Sequence, residues 1–550
     1  MSTTRHVIRT TVLVGPESAG KSSLAAALAG TRPRADNVAG ATLAVERFTT
    51  PDHTYLDTPG LVHRLDSAST RATLDVLDEV EHQILLVLHA THLDDELAML
   101  LPLVAGRRGV VAVTHWDRVQ DTAAARRALE RVAVATGVPF VAVDARDRTA
   151  APAAVAAALQ APGVFTRGPV LARAGWRIEP PHTLLEHRWL GPPAGLALLL
   201  APAIASVWAA VTVAGHLEPH VEVALEPAAA AAHRLPWPLT DVVAGDYGLL
   251  TMGPLLLVWA LPVVLVLALL LGLGKASGLL DRLTTAVHPL VRPLGLTGRD
   301  LVRVIAGYGC NVPAVIATRS CSSCSRDATI GAIAFGSACS YQLAATLGVL
   351  AAAQRPGLVL PYLAVLTLGA LAHARLLARH QGTDPARLDL ALLSGRAFLA
   401  RPRWADVRRE AATSLQHVTL RALPVFLAIV VVASLLAATG AMEAVARPLQ
   451  PVMAALRLPG EVALPVVLAS VRKDGLLLLA EPDTVAALDD AQLLAALVLA
   501  GALVPCLVTA LTIARERSRR VAARLMGRQA LGALALTAAI SWVGLLVVRS

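Results

Sequence analysis

Long apolar segments recur through the last two thirds of the chain, whereas positions 1–165 alternate short apolar runs with polar and charged ones. Seven uncharged segments approach or exceed the length that a helix needs to cross a bilayer. They are residues 194–215, 248–274, 328–354, 356–372, 422–442, 491–514 and 529–548. This pattern predicts an α/β domain followed by an all-α polytopic membrane domain.

The distribution of arginine gives these segments an orientation. Loops 275–303, 373–421 and 515–528 are rich in arginine, whereas loop 216–247 has a single one. Basic loops remain on the cytoplasmic side, so we expect the first three loops inside the cell and loop 216–247 outside. The N-terminal domain then lies in the cytosol. The net charge of +9 has the same explanation, so membrane lipid rather than nucleic acid is the expected partner.

Two further apolar stretches, 304–318 and 461–480, do not fit this topology as full crossings, because a basic loop would then fall on the outer face. We expect each to enter and return, or to contain a broken helix. Four positions recur at one constant offset in the numbering: Pro289, Leu294, Leu296 and Gly298 match Pro451, Leu456, Leu458 and Gly460. A weak internal repeat with two interrupted segments predicts a transport site where the repeats meet.

The N-terminal domain carries a phosphate-binding loop between a predicted strand and a predicted helix. The strand 12–14 leads into the sequence G-P-E-S-A-G-K-S, residues 15–22. In this pattern Gly15 and Gly20 let backbone amides approach the phosphates, Lys21 reaches the β- and γ-phosphates, and Ser22 binds Mg²⁺. Ser23 follows at the start of the helix and completes the predicted nucleotide-binding loop.

Residues for magnesium and for the γ-phosphate follow in the order typical of GTPases. Thr42 and Asp57 are candidate Mg²⁺ ligands together with Ser22, and Gly60 of the D-T-P-G sequence is the candidate sensor of the γ-phosphate. The predicted catalytic set is therefore Lys21, Thr42, Asp57 and Gly60. Leu61 stands where rapidly hydrolysing G proteins have a polar residue that orients water, so we expect slow turnover.

Two loops are candidates for reading the nucleotide base. Thr114-His115-Trp116-Asp117 follows the apolar run 110–113 at the place of an N-K-x-D motif, and Asp117 would accept two hydrogen bonds from guanine. Thr114 and His115 replace the usual Asn and Lys, which leaves the preference between GTP and ATP open. Asp144 and Ala145, after the run 140–143, lie at the place of the loop behind the base. GTP and Mg²⁺ are the predicted cofactors.

All five cysteines lie in the membrane half of the chain. Cys310, Cys339 and Cys506 lie in or beside apolar segments, and thiols favour Fe²⁺ over Mg²⁺ and Ca²⁺ as ligands. We consider these three as candidate ligands of a transported metal, although a free cysteine is often only a small buried hydrophobe. Cys321 and Cys324 could form a redox pair, a pair of exit ligands or part of a structural metal centre.

Taken together, these residues resemble the prokaryotic ferrous iron transporters of the FeoB type. The resemblance is carried by G-Y-G-C-N-V-P-A at 307–314, S-A-C-S at 337–340, R-K-D-G at 472–475, Pro505-Cys506 and the P-loop domain. It implies a Ras-like α/β G domain, a helical bundle with two gate-type repeats, and GTP-controlled import of Fe²⁺ across the cytoplasmic membrane. A homo-oligomer and a small cytosolic protein are candidate partners on the same basis.

The sequence departs from this family in three places. Only residues 166–190 separate the G domain from the membrane domain, so the family's helical regulatory subdomain is expected to be absent. The expected domains are 1–165 (G domain), 166–190 (linker), 191–385 (first repeat), 386–416 (basic cytoplasmic loop) and 417–550 (second repeat). Ser18 replaces the P-loop Asn that the family associates with potassium activation. Lys275 replaces an acidic residue, which leaves Mn²⁺ or Zn²⁺ open as substrate; a membrane-anchored signalling GTPase is the third alternative.

Overall fold

The computed structural model describes most of the chain. The described residues are 9–16, 19–31, 45–58, 73, 75, 82–119, 122–143, 150–168, 170–245, 248–321, 324–336, 339–382, 388, 398–417, 419–420 and 423–549.

A seven-stranded sheet forms the centre of the N-terminal domain within the described residues. Its strands are β1 Arg9–Val14, β2 Glu46–Thr49, β3 His53–Asp57, β4 Gln83–His89, β5 Arg108–Thr114, β6 Phe140–Ala142 and β7 Gly163–Val164. The order is β2-β3-β1-β4-β5-β6, with β7 on β5. β1 runs parallel to β3 and β4, so Val12 lies opposite both Leu56 and Ile84. The carboxyl ends of the parallel strands therefore meet at one edge of the sheet.

Four helices among the described residues cover the two faces of this sheet. They are α1 Lys21–Leu28, α2 Leu93–Val104, α3 Thr122–Thr136 and α4 Ala150–Gln160. Successive strand residues point to opposite faces, so Val12 and Val14 pack against α2 and α3, whereas Leu13 packs against α1 and α4. A sheet buried on both faces requires the continuous apolar runs that the sequence has at these strands.

The described chain after residue 183 is mostly helical. Its α-helices are α5 Gly191–Ala232, α6 Leu239–Ala244, α7 Leu249–Ala276, α8 Leu279–Val291, α9 Gly298–Ala306, α10 Asn311–Ala317, α11 Arg326–Gly336, α12 Ser340–Ala352, α13 Val359–His380, α14 Trp404–His417, α15 Leu423–Ala438, α16 Ala441–Ala446, α17 Gln450–Ala455, α18 Ala463–Val471, α19 Pro482–Ala486, α20 Asp490–Ala502, α21 Leu507–Glu516 and α22 Arg519–Arg549. A 3₁₀ helix, Lys473–Ala480, follows α18.

Within the described residues, four helices are long and apolar enough to cross a membrane, or up to six if each bent pair is one span. The four correspond to the predicted crossings 194–215, 248–274, 328–354 and 356–372. The bent pairs are α15 with the segment Ala441–Ala455, at 79°, and α20 with α21, at 40°. The seventh predicted crossing, 529–548, lies within α22 and stays a prediction.

Both interrupted segments that the sequence predicts contain a broken helix. In the first, α9 ends before Cys310, whose backbone is extended (φ −155°, ψ 131°), and α10 follows. In the second, α18 ends before Arg472, which has nearly the same conformation (φ −138°, ψ 132°), and the 3₁₀ helix follows. Positions 310 and 472 are related by the same offset as Pro289 and Pro451, so the internal repeat extends to the backbone.

Two further breaks were not expected from the sequence. The candidate span Arg326–Ala352 contains two helices, since α11 ends at Gly336 and α12 begins at Ser340. The segment 491–514 likewise divides into α20 and α21. Pro505 explains the second break, because proline has no N–H to donate and disfavours a helical residue before it.

Candidate functional site

The phosphate-binding loop joins the end of β1 to the start of α1, and both motif glycines are required by its geometry. Gly20 precedes α1 in the left-handed conformation (φ 87°), which costs other residues strain. A Cβ on Gly15 would lie 2.2 Å from the carbonyl oxygen of Val87 on β4. The loop can therefore pass close to β4 only because residue 15 has no side chain.

Lys21 is the first residue of α1 and its ammonium is held by the loop itself. The side chain is buried, and Nζ donates to the carbonyl oxygens of Gly15 at 3.1 Å and of Pro16 at 2.7 Å. A fixed positive charge enclosed by a loop at a helix N-terminus is the arrangement that binds a polyphosphate.

Asp57 lies at the carboxyl end of β3, next to the phosphate-binding loop. It is 0% exposed, and neither carboxylate oxygen makes a hydrogen bond of normal geometry. Burial raises the pKa of Asp57, while the charge of Lys21 and the hydroxyl of Ser22 lower it. A buried carboxylate with orphaned oxygens, beside a hydroxyl, has the donor set that Mg²⁺ prefers, so Asp57 and Ser22 fit this metal. Thr42 and Gly60 lie outside the described residues.

The loop after β5 is anchored to the phosphate-binding loop through Thr114. Its buried hydroxyl donates to the carbonyl oxygens of Ala19 at 2.9 Å and of Leu88 at 3.1 Å. Trp116 is buried against Trp176, with ring centroids 6.2 Å apart. Asp117, by contrast, is exposed at the same edge of the sheet. The anchoring role of Thr114 was not found from the sequence, because threonine in this position has no distinguishing pattern. Asp144 and Ala145 lie outside the described residues.

An extended linker connects the nucleotide-binding edge to the helical domain. Near its start, the backbone amides of Ala174 and Gly175 donate to the Asp94 carboxylate at 2.7 and 3.0 Å, which fixes the linker to the start of α2. Near its end, Arg282 of α8 donates to the carbonyl oxygen of Pro181 at 3.1 Å and to the hydroxyl of Thr183 at 3.3 Å. Residues 171–183 have no helix or strand.

A second contact links the base-reading loop to the segment before α14. The guanidinium of Arg118 lies 4.2 Å from the ring centroid of Phe398. Two residues later, the amide of Ala400 donates to the carbonyl oxygen of Ser277 at 3.0 Å, and Glu410 of α14 pairs with Lys275 of α7 at 3.4 Å. The nucleotide-binding edge is therefore attached to the first repeat at two places.

The three candidate metal-binding cysteines occupy equivalent positions in the fold. Cys310, Cys339 and Cys506 each immediately precede a helix, namely α10, α12 and α21. Cys339 and Cys506 have the same backbone conformation, with φ/ψ of −58°/158° and −57°/153°. The thiols are near enough to influence one another electrostatically. A helix break thus precedes each thiol, with two thiols in the first repeat and one in the second.

The thiols do not form a closed ligand cage. Among the described residues, no three His, Cys, Asp or Glu side chains are arranged as a metal-binding group. The Cys506 sulfur instead lies 3.2 Å from the Thr509 hydroxyl. Cys321 belongs to a separate cluster, where its thiol donates to Asp300 at 3.0 Å and Asp300 pairs with Arg303. A structural four-cysteine centre with Cys310 and Cys339 is therefore not present in the described part of the chain.

Comparison with known families gives matches to segments in both halves of the chain. The family described as "Gate: Nucleoside recognition" matches residues 257–353 and 419–520, and the family described as "50S ribosome-binding GTPase" matches residues 10–114. The two Gate matches start at positions 257 and 419, and this separation equals the offset of the internal repeat. The chain thus has an N-terminal α/β P-loop GTPase sheet followed by an all-helical domain with Gate repeats.

The similar curated proteins are ferrous iron transporters. The Fe(2+) transporter FeoB of Legionella pneumophila is 38% identical over 63 residues, which is 12% of this chain and 8% of the relative. That of Synechocystis sp. is 40% identical over 58 residues, which is 10% of this chain and 9% of the relative. The matched segment thus covers less than a tenth of these relatives.

The similar solved structures include NFeoB and the cytosolic domain of an FeoB protein. NFeoB from S. thermophilus bound to GDP·AlF4⁻ and K⁺ is 18% identical, with a TM-score of 0.24, and covers 42% of this chain and 86% of that one. The cytosolic domain of T. maritima FeoB in the GMPPNP form is 17% identical, with a TM-score of 0.23, and covers 35% and 74%.

Proposed function

We propose that this protein imports Fe²⁺ across the prokaryotic cytoplasmic membrane under the control of GTP, with its N-terminal domain in the cytosol. The observation that carries the proposal is the position of Cys310, Cys339 and Cys506, each directly before a helix at a break and drawn from both repeats. A protein that merely anchored a signalling GTPase would need neither the breaks nor the thiols.

The nucleotide site supports control by a GTP-bound state. Lys21 holds the phosphates, and Ser22 and Asp57 hold Mg²⁺, which neutralises charge on the phosphate oxygens when bound. Thr42 and Gly60 complete the site as switch residues. Gly15, Gly20 and Ser23 shape the loop, while Asp117, Asp144 and Ala145 contact the base and Thr114 positions their loops. Because Leu61 cannot orient water, hydrolysis is slow and the GTP-bound state persists.

The arrangement of the thiols suits a transported ion better than a resident one. Transport requires ligands that attract the ion and also release it. Thiols select Fe²⁺ over the harder Mg²⁺ and Ca²⁺, and thiols that are not already arranged as a metal-binding group hold the ion weakly enough for exchange. A closed cage of four ligands would instead retain a structural metal.

Two attachments connect the nucleotide-binding site to the proposed metal path. The linker is fastened to Asp94 at one end and to Arg282 at the other, and Arg118 lies on Phe398 near the end of α7. A movement of the loops around the nucleotide is therefore passed to α7 and α8, which belong to the first repeat. No helical subdomain is needed between them.

Uptake by proteoliposomes containing the full chain tests the proposal. We expect GTP-dependent accumulation of Fe²⁺, and a loss of at least tenfold in Cys310→Ser. Cys324→Ser is the matched control, because Cys324 lies outside the three-thiol group, and it should transport normally. Preferential uptake of Mn²⁺ or Zn²⁺ would show that this ion, and not Fe²⁺, is the substrate. Uptake of a nucleoside, or of nothing, would refute metal transport, and the latter would favour a signalling GTPase.

A further inference from the structure

Lys473 is a buried cation in the middle of the second broken segment. It is 4% exposed, and Nζ donates to three backbone carbonyl oxygens, those of Ala500 at 3.2 Å, Gly501 at 2.8 Å and Val504 at 2.7 Å. These carbonyls lie at the carboxyl end of α20, where the helix breaks before Cys506. The last carbonyls of a helix have no partner within it and carry partial negative charge. They therefore form a cation site, and the ammonium occupies it.

The ammonium also acts on the proposed metal path. Its Nζ donates to the carbonyl oxygen of Val504, two residues before Cys506. A fixed positive charge repels a divalent ion strongly in a medium of low dielectric constant. A second metal ion at the carbonyls that hold Lys473 is therefore unfavourable for as long as Lys473 remains in place.

The equivalent residue in the first repeat has a neutral side chain with a hydrogen-bond acceptor in place of a cation. The repeat offset places Asn311 opposite Lys473, and each is the first residue after its break. Asn311 is 6% exposed, and its Oδ1 has no hydrogen-bond partner. A buried acceptor without a donor is rare, because it loses its water without compensation. An unpartnered amide oxygen on the residue that follows Cys310 is a suitable ligand for a cation.

We propose that the transport site is asymmetric: the ammonium of Lys473 fills the cation position of the second repeat, and Asn311 Oδ1 with the Cys310 thiol forms the position at which a single metal ion binds. The second half of this statement rests on the proposed function, whereas the first half does not. The repeat thus supplies two homologous positions. One binds the metal ion, and the other is filled by the ammonium of Lys473.

Replacement of Lys473 tests the first half without any transport assay. In Lys473→Ala the three carbonyls lose their cation, so the thermal midpoint of the full-length protein in detergent should fall. Na⁺, K⁺ or methylammonium should raise it again by several degrees, and tetramethylammonium at the same ionic strength should not, because it is too large. Lys473→Met fills the space with an apolar chain and should not respond. A wild-type protein that responds equally, or a Lys473→Ala protein that responds to none of these ions, would overturn the assignment.

Replacement of Asn311 tests the second half. Equilibrium binding of Fe²⁺ to the reduced full chain should give one ion per chain, and Asn311→Leu, which has nearly the same shape, should weaken it at least tenfold. Two ions per chain, or unchanged affinity in Asn311→Leu, would refute the asymmetric site. If the wild type binds no Fe²⁺ while Lys473→Ala still responds to small cations, the proposed function fails and the role of Lys473 stands.

Discussion

The attachment of the linker to α8 depends on one buried arginine, and its removal should uncouple the two halves of the protein. The side chain of Arg282 is 1% exposed and that of Glu186 is 14% exposed, with their charged atoms 3.5 Å apart. Glu186 also accepts from the amide and the hydroxyl of Thr183, at 2.5 and 2.6 Å. We call these contacts among Arg282, Glu186 and Thr183 the linker clamp. We choose Arg282→Met to test it, because this variant keeps the length of the side chain but removes the charge and every donor.

The expected cost follows from what the variant leaves behind. Removal of one partner of a buried ion pair costs about 3–5 kcal/mol, but Glu186 keeps its two bonds from Thr183, so we expect about 2–3 kcal/mol for local opening of the linker. This corresponds to about a 30- to 150-fold increase in the open population. Hydrogen exchange of the amides in 181–187 should accelerate by that factor, because exchange follows the open population when closing is fast.

An exposed arginine near Arg282 provides the matched control. Arg292→Met removes an exposed arginine directly after α8 and should leave exchange in the linker unchanged. Nucleotide affinity should stay normal in Arg282→Met, while the dependence of uptake on GTP should disappear. Unchanged exchange in 181–187, or an equal change in Arg292→Met, would show that Arg282 does not hold the linker.

The linker clamp should also respond to pH. Burial by itself would raise the pKa of Glu186, but the hydrogen bonds from Thr183 and the charge of Arg282 hold it below its ordinary value of 4.5. Because the pKa of Glu186 is depressed in the folded protein, its ionised carboxylate stabilises the clamp at pH values above 4.5, and this contribution is lost as the pH falls through the folded pKa. Hydrogen exchange in 181–187, corrected for its intrinsic pH dependence, should therefore show less protection at low pH. Lys21→Ala should abolish nucleotide binding, measured by fluorescent-nucleotide titration, and metal uptake by proteoliposomes together. Uptake that persisted would show that the nucleotide does not control transport. The full chain should bind GTP at least tenfold more tightly than ATP, and Asp117→Ala should abolish the difference; equal affinities in the wild type would refute the role of Asp117. Gly15→Ala should lower stability by about 1–3 kcal/mol in a thermal scan, since the new Cβ would contact the Val87 oxygen at 2.2 Å; an unchanged midpoint would contradict this.

The features that the sequence predicted correctly are those with a local pattern. The G-x-x-x-x-G-K-S loop follows a strand and starts a helix as expected, because glycine spacing and apolar runs specify that geometry directly. The broken segments at 304–318 and 461–480 were predicted from charge and topology, which constrain where a chain can cross. The offset between the repeats needed only four matched positions.

The features that were missed depend on contacts between distant residues. The break before Cys339 occurs inside an apolar segment whose composition is that of an ordinary crossing, whereas the break before Cys506 has a local signal, Pro505, that was overlooked. The hydroxyl of Thr114 is used by the carbonyls of Ala19 and Leu88, which lie on other strands and loops, and no local pattern encodes such a contact. The site of Lys473 needs the carboxyl end of a separate helix that starts only at Asp490.

Two short helices connect the thiols to an ion pair between the repeats, and this connection restricts how the repeats can separate. α10 starts after Cys310 and leads to Arg319, while α21 starts after Cys506 and ends at Glu516. Arg319 Nε donates to Glu516 Oε2 at 2.6 Å. The side chain of Glu516 is 8% exposed but that of Arg319 is 41% exposed, so water replaces part of the interaction and separation costs on the order of 1–2 kcal/mol.

This cost lies within the range that a ligand can transmit between two sites, about 1–3 kcal/mol. While the pair between Arg319 and Glu516 is intact, α10 and α21 move together and Cys310 and Cys506 remain near each other. Glu516 also pairs with Arg326 at 3.5 Å, so both pairs must break before the two helices can separate and the group of thiols is divided. On the proposed function, the joined state binds the metal ion and the separated state releases it. Nucleotide binding can then select between the two states without any direct contact with the ion.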